Sequence, residues 1–139
     1  MKENNKTTFD HPAASLNEKK TIVFTAMSKK YFYMRMLVVK YVLEMGCVPI
    51  NPFMSFDYFL VDTVDRDIIR NANNNLVALA DELWVFGSVS NGVMVEIKSV
   101  SQKGKLVRFF AITDDREISE ISKEELPFED GMEQHKNEF

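Results

Sequence analysis

Four short runs along the chain are typical of β-strands buried on both faces. They are apolar at consecutive positions and rich in β-branched and aromatic residues. The runs cover residues 21–26, 47–50, 82–86 and 106–112. Pro49 makes the second run an edge strand, because proline has no N–H to donate to a central ladder.

Between these runs, apolar residues recur every three or four positions and predict helices over residues 28–45, 62–79 and 93–103. Ser28 is the predicted N-cap of the first helix. The positions predicted to face the core are Met34, Val38, Tyr41 and Met45 in the first helix, and Ile69, Ala72, Leu76 and Leu79 in the second.

The alternation of strands and helices predicts an α/β fold with helices on both faces of a parallel sheet. We expect a three-layer flavodoxin- or Rossmann-like sheet in the order 2-1-3-4, with a possible fifth element around residues 118–126. One α/β domain would then cover residues 21–126. A flexible polar arm (1–20) would precede it, and a loose acidic tail (127–139) would follow.

Composition narrows the class of protein. Hydrophobic residues make up 45% and charged residues 27% of the 139 positions, which is typical of a soluble globular domain. No uncharged stretch reaches the roughly 20 residues of a membrane helix, and no secretory leader is visible, so we expect a cytoplasmic protein without membrane contact. Cys47, His11 and His135 form no metal-ligand pattern, and we expect neither a metal nor a cofactor.

The net charge of −4 weighs against binding of long nucleic acid. The charge is unevenly distributed, however, since residues 112–139 hold ten acidic and three basic residues. The predicted body, residues 21–111, holds ten basic and eight acidic residues. A phosphorylated small molecule is therefore compatible with the charge of the body.

In an open α/β sheet, ligands bind beyond the carboxyl ends of the strands. Three segments meet this condition, at residues 25–29, 51–58 and 87–96. The third places two glycines around a serine-rich turn before a helix, where backbone amides favour an anion. It lacks the Lys-Ser/Thr of a Walker loop, no strand is followed by GxGxxG, and no Ser–His–Asp set is credible.

Glu96 lies one turn into the helix after that loop. Asp57, Asp62 and Asp65 lie near the same sheet edge and are candidate partners for it. A carboxylate pair there could supply a nucleophile or stabilise an oxocarbenium-like transition state at a sugar C1.

Two further features stand out near this edge. The run Asn73–Asn75 is unusual inside a helix, because asparagine is a poor helix former, and it suggests a hydrogen-bond network or a ligand contact. The aromatic side chains of the second segment could stack on a base, or pack in the core or a subunit interface. They are Phe53, Phe56, Tyr58 and Phe59.

Three segments of the second half form a recognisable pattern. They are Ala-Asp-Glu-Leu-Trp-Val-Phe-Gly (80–87), Ser-Asn-Gly-Val-Met-Val-Glu-Ile (90–97) and Gly-Lys-Leu-Val (104–107). The pattern resembles that of the nucleoside 2-deoxyribosyltransferase-like superfamily, in which a D-x-G-x-x-x-E helix lies between two strands. Small members of the superfamily also share Asn-Pro-Phe (51–53), Asp-x-Val-Asp-Arg-Asp (62–67) and Asn-Asn-Asn-Leu-Val (73–77). The resemblance covers roughly residues 21–112.

The resemblance implies that Glu96 is the nucleophile that attacks the anomeric carbon. The Asp that handles the base in active members maps near Asn73, and the Asp of D-x-G maps to Ser90. Both positions therefore depart from the family, and Asp65 or Asp67 would have to assist instead. Members that accept phosphate use a hydroxyl-rich loop before the Glu. The residues expected to bind substrate are Ser88, Ser90, Asn91, Gly92, Asn73 and Phe53.

The leading hypothesis is a hydrolase or transferase that acts on the N-glycosidic bond of a nucleoside or deoxynucleotide. The alternative is a non-catalytic nucleotide-binding or sensing module that has lost the catalytic acids. A third class, an interaction domain, remains open on fold grounds alone. Relatives complete their sites from neighbouring subunits, which implies a homodimer or larger homo-oligomer.

Overall fold

A computed structural model describes residues 7–56 and 60–139 and contains a five-stranded sheet in the order β2-β1-β3-β4-β5. The strands are β1 Ile22–Met27, β2 Val48–Ile50, β3 Glu82–Phe86, β4 Leu106–Ile112 and β5 Ile118–Ile121. The first four are mutually parallel, and β5 runs antiparallel to β4. The predicted α/β class and the order 2-1-3-4 are confirmed, and the fifth element adds an antiparallel edge.

Helices connect the parallel strands. The α-helices are α1 Arg35–Glu44, α2 Pro52–Ser55, α3 Leu60–Thr63, α4 Arg66–Leu79 and α5 Asn91–Gln102. The 3-10 helices are Pro12–Ser15, Lys29–Met34, Lys123–Glu125 and Glu133–Glu138. Within the described ranges, no helix combines the length and apolar character needed to span a bilayer.

The sheet separates two apolar clusters and so forms the middle of three layers. On one face, α4 and α5 pack side chains such as Val77 and Ile97 against Phe24 and Leu83. On the other face, α1 packs Val38 and Val42 against three aromatic side chains of the sheet, which are Trp84, Phe86 and Phe110. Strands covered on both faces explain the consecutive apolar residues of the sequence.

The first predicted helix is divided. Residues Lys29–Met34 form a 3-10 helix before α1, and Ser28 occupies the N-cap of that turn without a side-chain capping bond. The buried positions of α1 are Val38 and Val42. Met45 is wrong as a core position, because α1 ends at Glu44 and leaves Met45 47% exposed in the following turn.

The second predicted helix is also interrupted. The Asp65 side chain accepts a hydrogen bond from the Asp67 N–H (2.8 Å) and caps α4, so the chain leaves helical geometry before Arg66. Leu79 is wrong as a core position, since its side chain is 67% exposed. The buried positions at this end of the helix are Val77 and Ala80.

The acidic segment 127–139 is not loose. Its apolar side chains Phe128, Met132 and Phe139 pack against the cluster under α4 and α5. Lys98 of α5 also forms an ion pair with Glu138 (2.7 Å). A run of acidic residues predicts a solvated tail. In this segment the apolar residues between the acidic ones pack on the core and hold the segment against it.

Residues 1–20 are predicted to form a flexible polar arm, and residues 1–6 of that arm lie outside the described part of the chain. Residues 7–20 are all exposed and contain only the 3-10 turn Pro12–Ser15, which begins at Pro12.

Candidate functional site

A cavity of about 610 Å³ lies at the carboxyl edge of the sheet. It is lined by residues that follow β1, β2 and β3, which are the three segments the sequence placed at this edge, together with one face of α4. Ligand pockets in proteins have volumes of roughly 300–1,000 Å³, so a nucleoside-sized molecule fits by volume. The side chains on the lining that carry a charge or an amide are Lys29, Arg70, Asn73, Asn74, Asn91, Glu96 and Glu129.

Glu96 lies on the second turn of α5 and lines the cavity with only 9% of its surface exposed. Its Oε2 accepts a hydrogen bond from Asn73 Nδ2 (2.8 Å), and among the described residues no group donates to Oε1. Burial raises the pKa of this carboxyl from 4.5 to about 7, and the bond from Asn73 opposes that rise. At neutral pH, therefore, Glu96 exists in both protonation states.

Asn73 explains part of the asparagine run in α4. Its amide nitrogen holds Glu96, whereas its Oδ1 is fully buried and has no hydrogen-bond partner among the described residues. Asn74 lines the same cavity, and Asn75 donates to the carbonyl oxygen of Asn71 one turn earlier. A buried acceptor without a hydrogen-bond partner lowers the free energy of unfolding, and such acceptors are typical of functional sites.

Ser90, Asn91 and Gly92 line the cavity at the start of α5. Ser90 is the N-cap of the helix, and its hydroxyl accepts a hydrogen bond from the Val93 N–H (3.3 Å). This cap explains why α5 begins two residues earlier than predicted.

Ser88, in the loop between β3 and α5, is buried and does not line the cavity. Its hydroxyl donates to Glu129 Oε2 (3.0 Å) and contacts the Tyr31 hydroxyl (3.2 Å), which also accepts from the Ser88 N–H. The Tyr31 ring lies against Gly87, whose φ is +82° and where a Cβ would fall 2.5 Å from ring carbons. Gly87 is thus required both by its backbone conformation and by the close approach of Tyr31.

The aromatic wall of the cavity comes from the segment after β2. Buried Asn51 begins α2 by accepting from the Phe53 N–H (2.9 Å), while its amide donates to Thr25 of β1 (2.8 Å). This contact fixes Phe53 on the cavity wall, with Phe56 beside it.

Asp65 and Asp67, the described aspartates that were expected to act with Glu96, are not on the lining. Asp65 is exposed and caps α4, and exposed Asp67 pairs with Arg70 (2.9 Å). Asp57 lies outside the described residues, as do Tyr58 and Phe59 and the side chain of Asp62. Both described aspartates have local structural roles that a helix start alone accounts for.

Sequence reasoning missed Glu129, the second carboxylate on the lining, because it lies in the segment expected to be loose. The adjacent Pro127-Phe128 pair, apolar within an acidic stretch, was the available indication. Lys29 and Arg70 were also not singled out. Within the described ranges, no group of three or more histidine, cysteine or acidic side chains could hold a metal ion.

Comparison with known protein families gives one match. Residues 24–110 match the model of a domain of unknown function, DUF7768. The chain belongs to the DUF7768 family. No curated protein matches it. The DUF7768 segment contains Asn73, Glu96 and the loop between them and ends before Glu129, so the C-terminal contribution to the cavity lies outside the matched region.

Proposed function

We propose that the protein cleaves the N-glycosidic bond of nucleosides or nucleotides, with Glu96 as the nucleophile. The observation that carries this proposal is a buried carboxyl on a ligand-sized cavity at the carboxyl edge of a parallel sheet. The resemblance to deoxyribosyltransferase-like proteins supports the same role for Glu96.

The chemistry divides into two displacements at the anomeric carbon. In the first, a Glu96 oxygen bonds to that carbon as the bond to the base nitrogen breaks. The bonding pair leaves with the base, which takes a proton from water. In the second, water or another base attacks the same carbon, and the ester oxygen recovers its electron pair as Glu96 carboxylate. The proton lost by the attacking group balances the one taken by the first base.

The environment of Glu96 suits this role. Asn73 holds Oε2 through a single hydrogen bond, and Oε1, which no described residue engages, is available for attack. Burial raises the pKa to about 7 and removes competing solvation, so the carboxylate fraction at neutral pH is poorly stabilised and reactive.

The lining of the cavity is apolar in one part and polar in another, as the two halves of a nucleoside are. Phe53, Phe56 and Ile69 give the cavity an apolar wall, and the amide of Asn74 also lies on the lining. A flat base can stack against such a wall and bond to an amide. The start of α5 and Glu129 form the polar end, where a sugar would lie next to Glu96.

A specific observation favours the alternative, a nucleotide-binding module without turnover. By the resemblance, the carboxyl that handles the base in active members maps near Asn73, and neither Asp65 nor Asp67 reaches the lining. A positioned general acid is typically worth about 10²–10⁴-fold in rate. Without one at the base, binding without cleavage becomes the competing outcome.

One assay separates the two functions. The protein is incubated with 2′-deoxynucleosides and their 5′-monophosphates, and free base is measured by chromatography for wild type, Glu96→Gln and Glu44→Gln. Glu44 is an exposed residue of α1 that pairs with Lys40, so its variant is the matched control. Base release lost only in Glu96→Gln supports the proposal. Base release retained in Glu96→Gln contradicts it, and thermal stabilisation without any release supports the binding module.

A further inference from the structure

The C-terminal strap, residues 127–129, runs beside the loop that precedes α5. The Val89 N–H donates to the Pro127 carbonyl oxygen (3.0 Å), and the Glu129 N–H donates to the Val89 carbonyl oxygen (2.9 Å). These bonds form a short parallel bridge between Val89 and Phe128. Backbone pairing of this kind fixes the direction in which the Glu129 side chain leaves the strap.

The strap is held on both sides of Glu129. Phe128 packs on the apolar cluster under α5, and downstream the Phe139 ring lies 6.1 Å from that of Phe109. The position of Glu129 at the cavity is therefore set by packing and pairing together.

Glu129 occupies the place where the sequence predicted a phosphate. It lines the cavity, and its Oε2 accepts from Ser88 Oγ two residues before the N-cap of α5. The loop before a helix favours an anion, and in this loop Ser88 holds a carboxylate of the chain itself. The hydroxyl of Ser90 accepts from the Val93 N–H, so both loop serines are already engaged.

We propose that the polar end of the cavity selects an uncharged sugar, with Glu129 accepting hydrogen bonds from its hydroxyls and repelling a 5′-phosphate. The ligand class is then an unphosphorylated nucleoside. This inference rests on the proposed function for the identity of the ligand as a nucleoside. A hydroxyl donates to a carboxylate, whereas a phosphate dianion beside the same carboxylate is repelled.

The lining also carries two cations that bear on this selection. Arg70 lines the cavity and is paired with the exposed Asp67 one turn earlier in α4. Lys29, directly after β1, forms no ion pair among the described residues. Lys29 is consequently the group that would hold a phosphate if one entered the cavity, and the experiment includes it.

The test compares dissociation constants for four 2′-deoxynucleosides (adenine, guanine, cytosine and thymine) and their 5′-monophosphates, measured by calorimetry. Where a compound is cleaved, its dissociation constant is measured in the Glu96→Gln background, which removes the proposed nucleophile. Wild type is expected to bind at least one nucleoside about tenfold or more tightly than its monophosphate. Glu129→Gln keeps an acceptor for Ser88 but loses the negative charge. Because the repulsion of phosphate is then gone, the preference for the nucleoside over its monophosphate should narrow to about threefold or less.

The matched control is Asp130→Asn, a loss of the same charge at the next residue, which is exposed and off the lining. It should keep the wild-type preference. A monophosphate bound more tightly than its nucleoside, a preference unchanged in Glu129→Gln, or no binding of any nucleoside would overturn the proposal. A monophosphate that binds wild type as tightly as its nucleoside, and loses that affinity in Lys29→Gln, would place a phosphate site at Lys29 and overturn the proposal.

The proposed reaction and this selectivity fail separately. A nucleoside bound preferentially without release of base refutes the cleavage function and leaves the role of Glu129 intact. Base released preferentially from a monophosphate refutes the role of Glu129 and leaves the nucleophile Glu96 intact.

Discussion

Replacing Glu96 by glutamine should stabilise the protein at alkaline pH. The pKa of Glu96 rises from 4.5 to about 7 on burial, and a tenfold change in proton affinity is worth about 1.4 kcal/mol. The folded protein thus binds the proton more tightly than the unfolded chain does. The resulting destabilisation is absent below pH 4.5, grows as the pH rises, and is complete above about pH 7, where it reaches about 3 kcal/mol.

Glutamine removes this titration while keeping an oxygen that accepts from Asn73. We therefore expect the free energy of unfolding of Glu96→Gln, relative to wild type, to increase by about 3 kcal/mol between pH 4.5 and pH 8. Urea denaturation at the two pH values and constant ionic strength measures this difference. Glu44→Gln, the exposed control, should differ from wild type by no more than about 0.5 kcal/mol at either pH.

A stability difference between Glu96→Gln and wild type that stays the same at both pH values would refute the reasoning. It would mean that the carboxyl has an ordinary pKa and is solvated in the folded protein. The predicted gain in stability of Glu96→Gln at pH 8 would mean that Glu96 destabilises the fold, which is typical of residues retained for function.

Three further predictions follow from the same geometry. If base release is observed, its rate should rise with pH, reach half its maximum near pH 7 and level off above that as Glu96 becomes a carboxylate. A rate that falls over that range would indicate an acid role instead. Gly87→Ala should lower the free energy of unfolding by about 2 kcal/mol or more, because Gly87 has a positive φ and a Cβ there would clash with Tyr31. Gly92→Ala, whose Cβ would enter open space, should leave the free energy of unfolding unchanged in the same denaturation assay. Phe128→Ala should cost about 2 kcal/mol in that assay, and an unchanged stability would mean that the acidic segment is loose after all.

The strands and their order were predictable because their evidence is local. A run such as Leu83–Trp84–Val85, apolar on both faces, needs a helix on each side, and the long connections between such runs require parallel pairing. Glu96 was also identifiable, as the carboxylate that follows a glycine- and serine-rich loop at a strand end.

The break before α4 was not predictable from periodicity. Apolar spacing continues across Asp65, and only the bond from the Asp67 N–H to its side chain shows that Asp65 begins a helix. Periodicity likewise placed Leu79 on the core face, whereas the buried side chains here are those of Val77 in α4 and Ala80 directly after it.

The sequence by itself determined the α/β class, the parallel strands and the presence of one carboxylate at their carboxyl edge. Local patterns of polarity suffice for these features, because each depends on neighbours within a few residues. Tertiary structure alone decided that Asn73 bonds to Glu96, that the strap brings in Glu129, and that the pKa of Glu96 rises to about 7. Such contacts join distant parts of the chain, and burial, which sets the pKa, exists only once those parts have packed together.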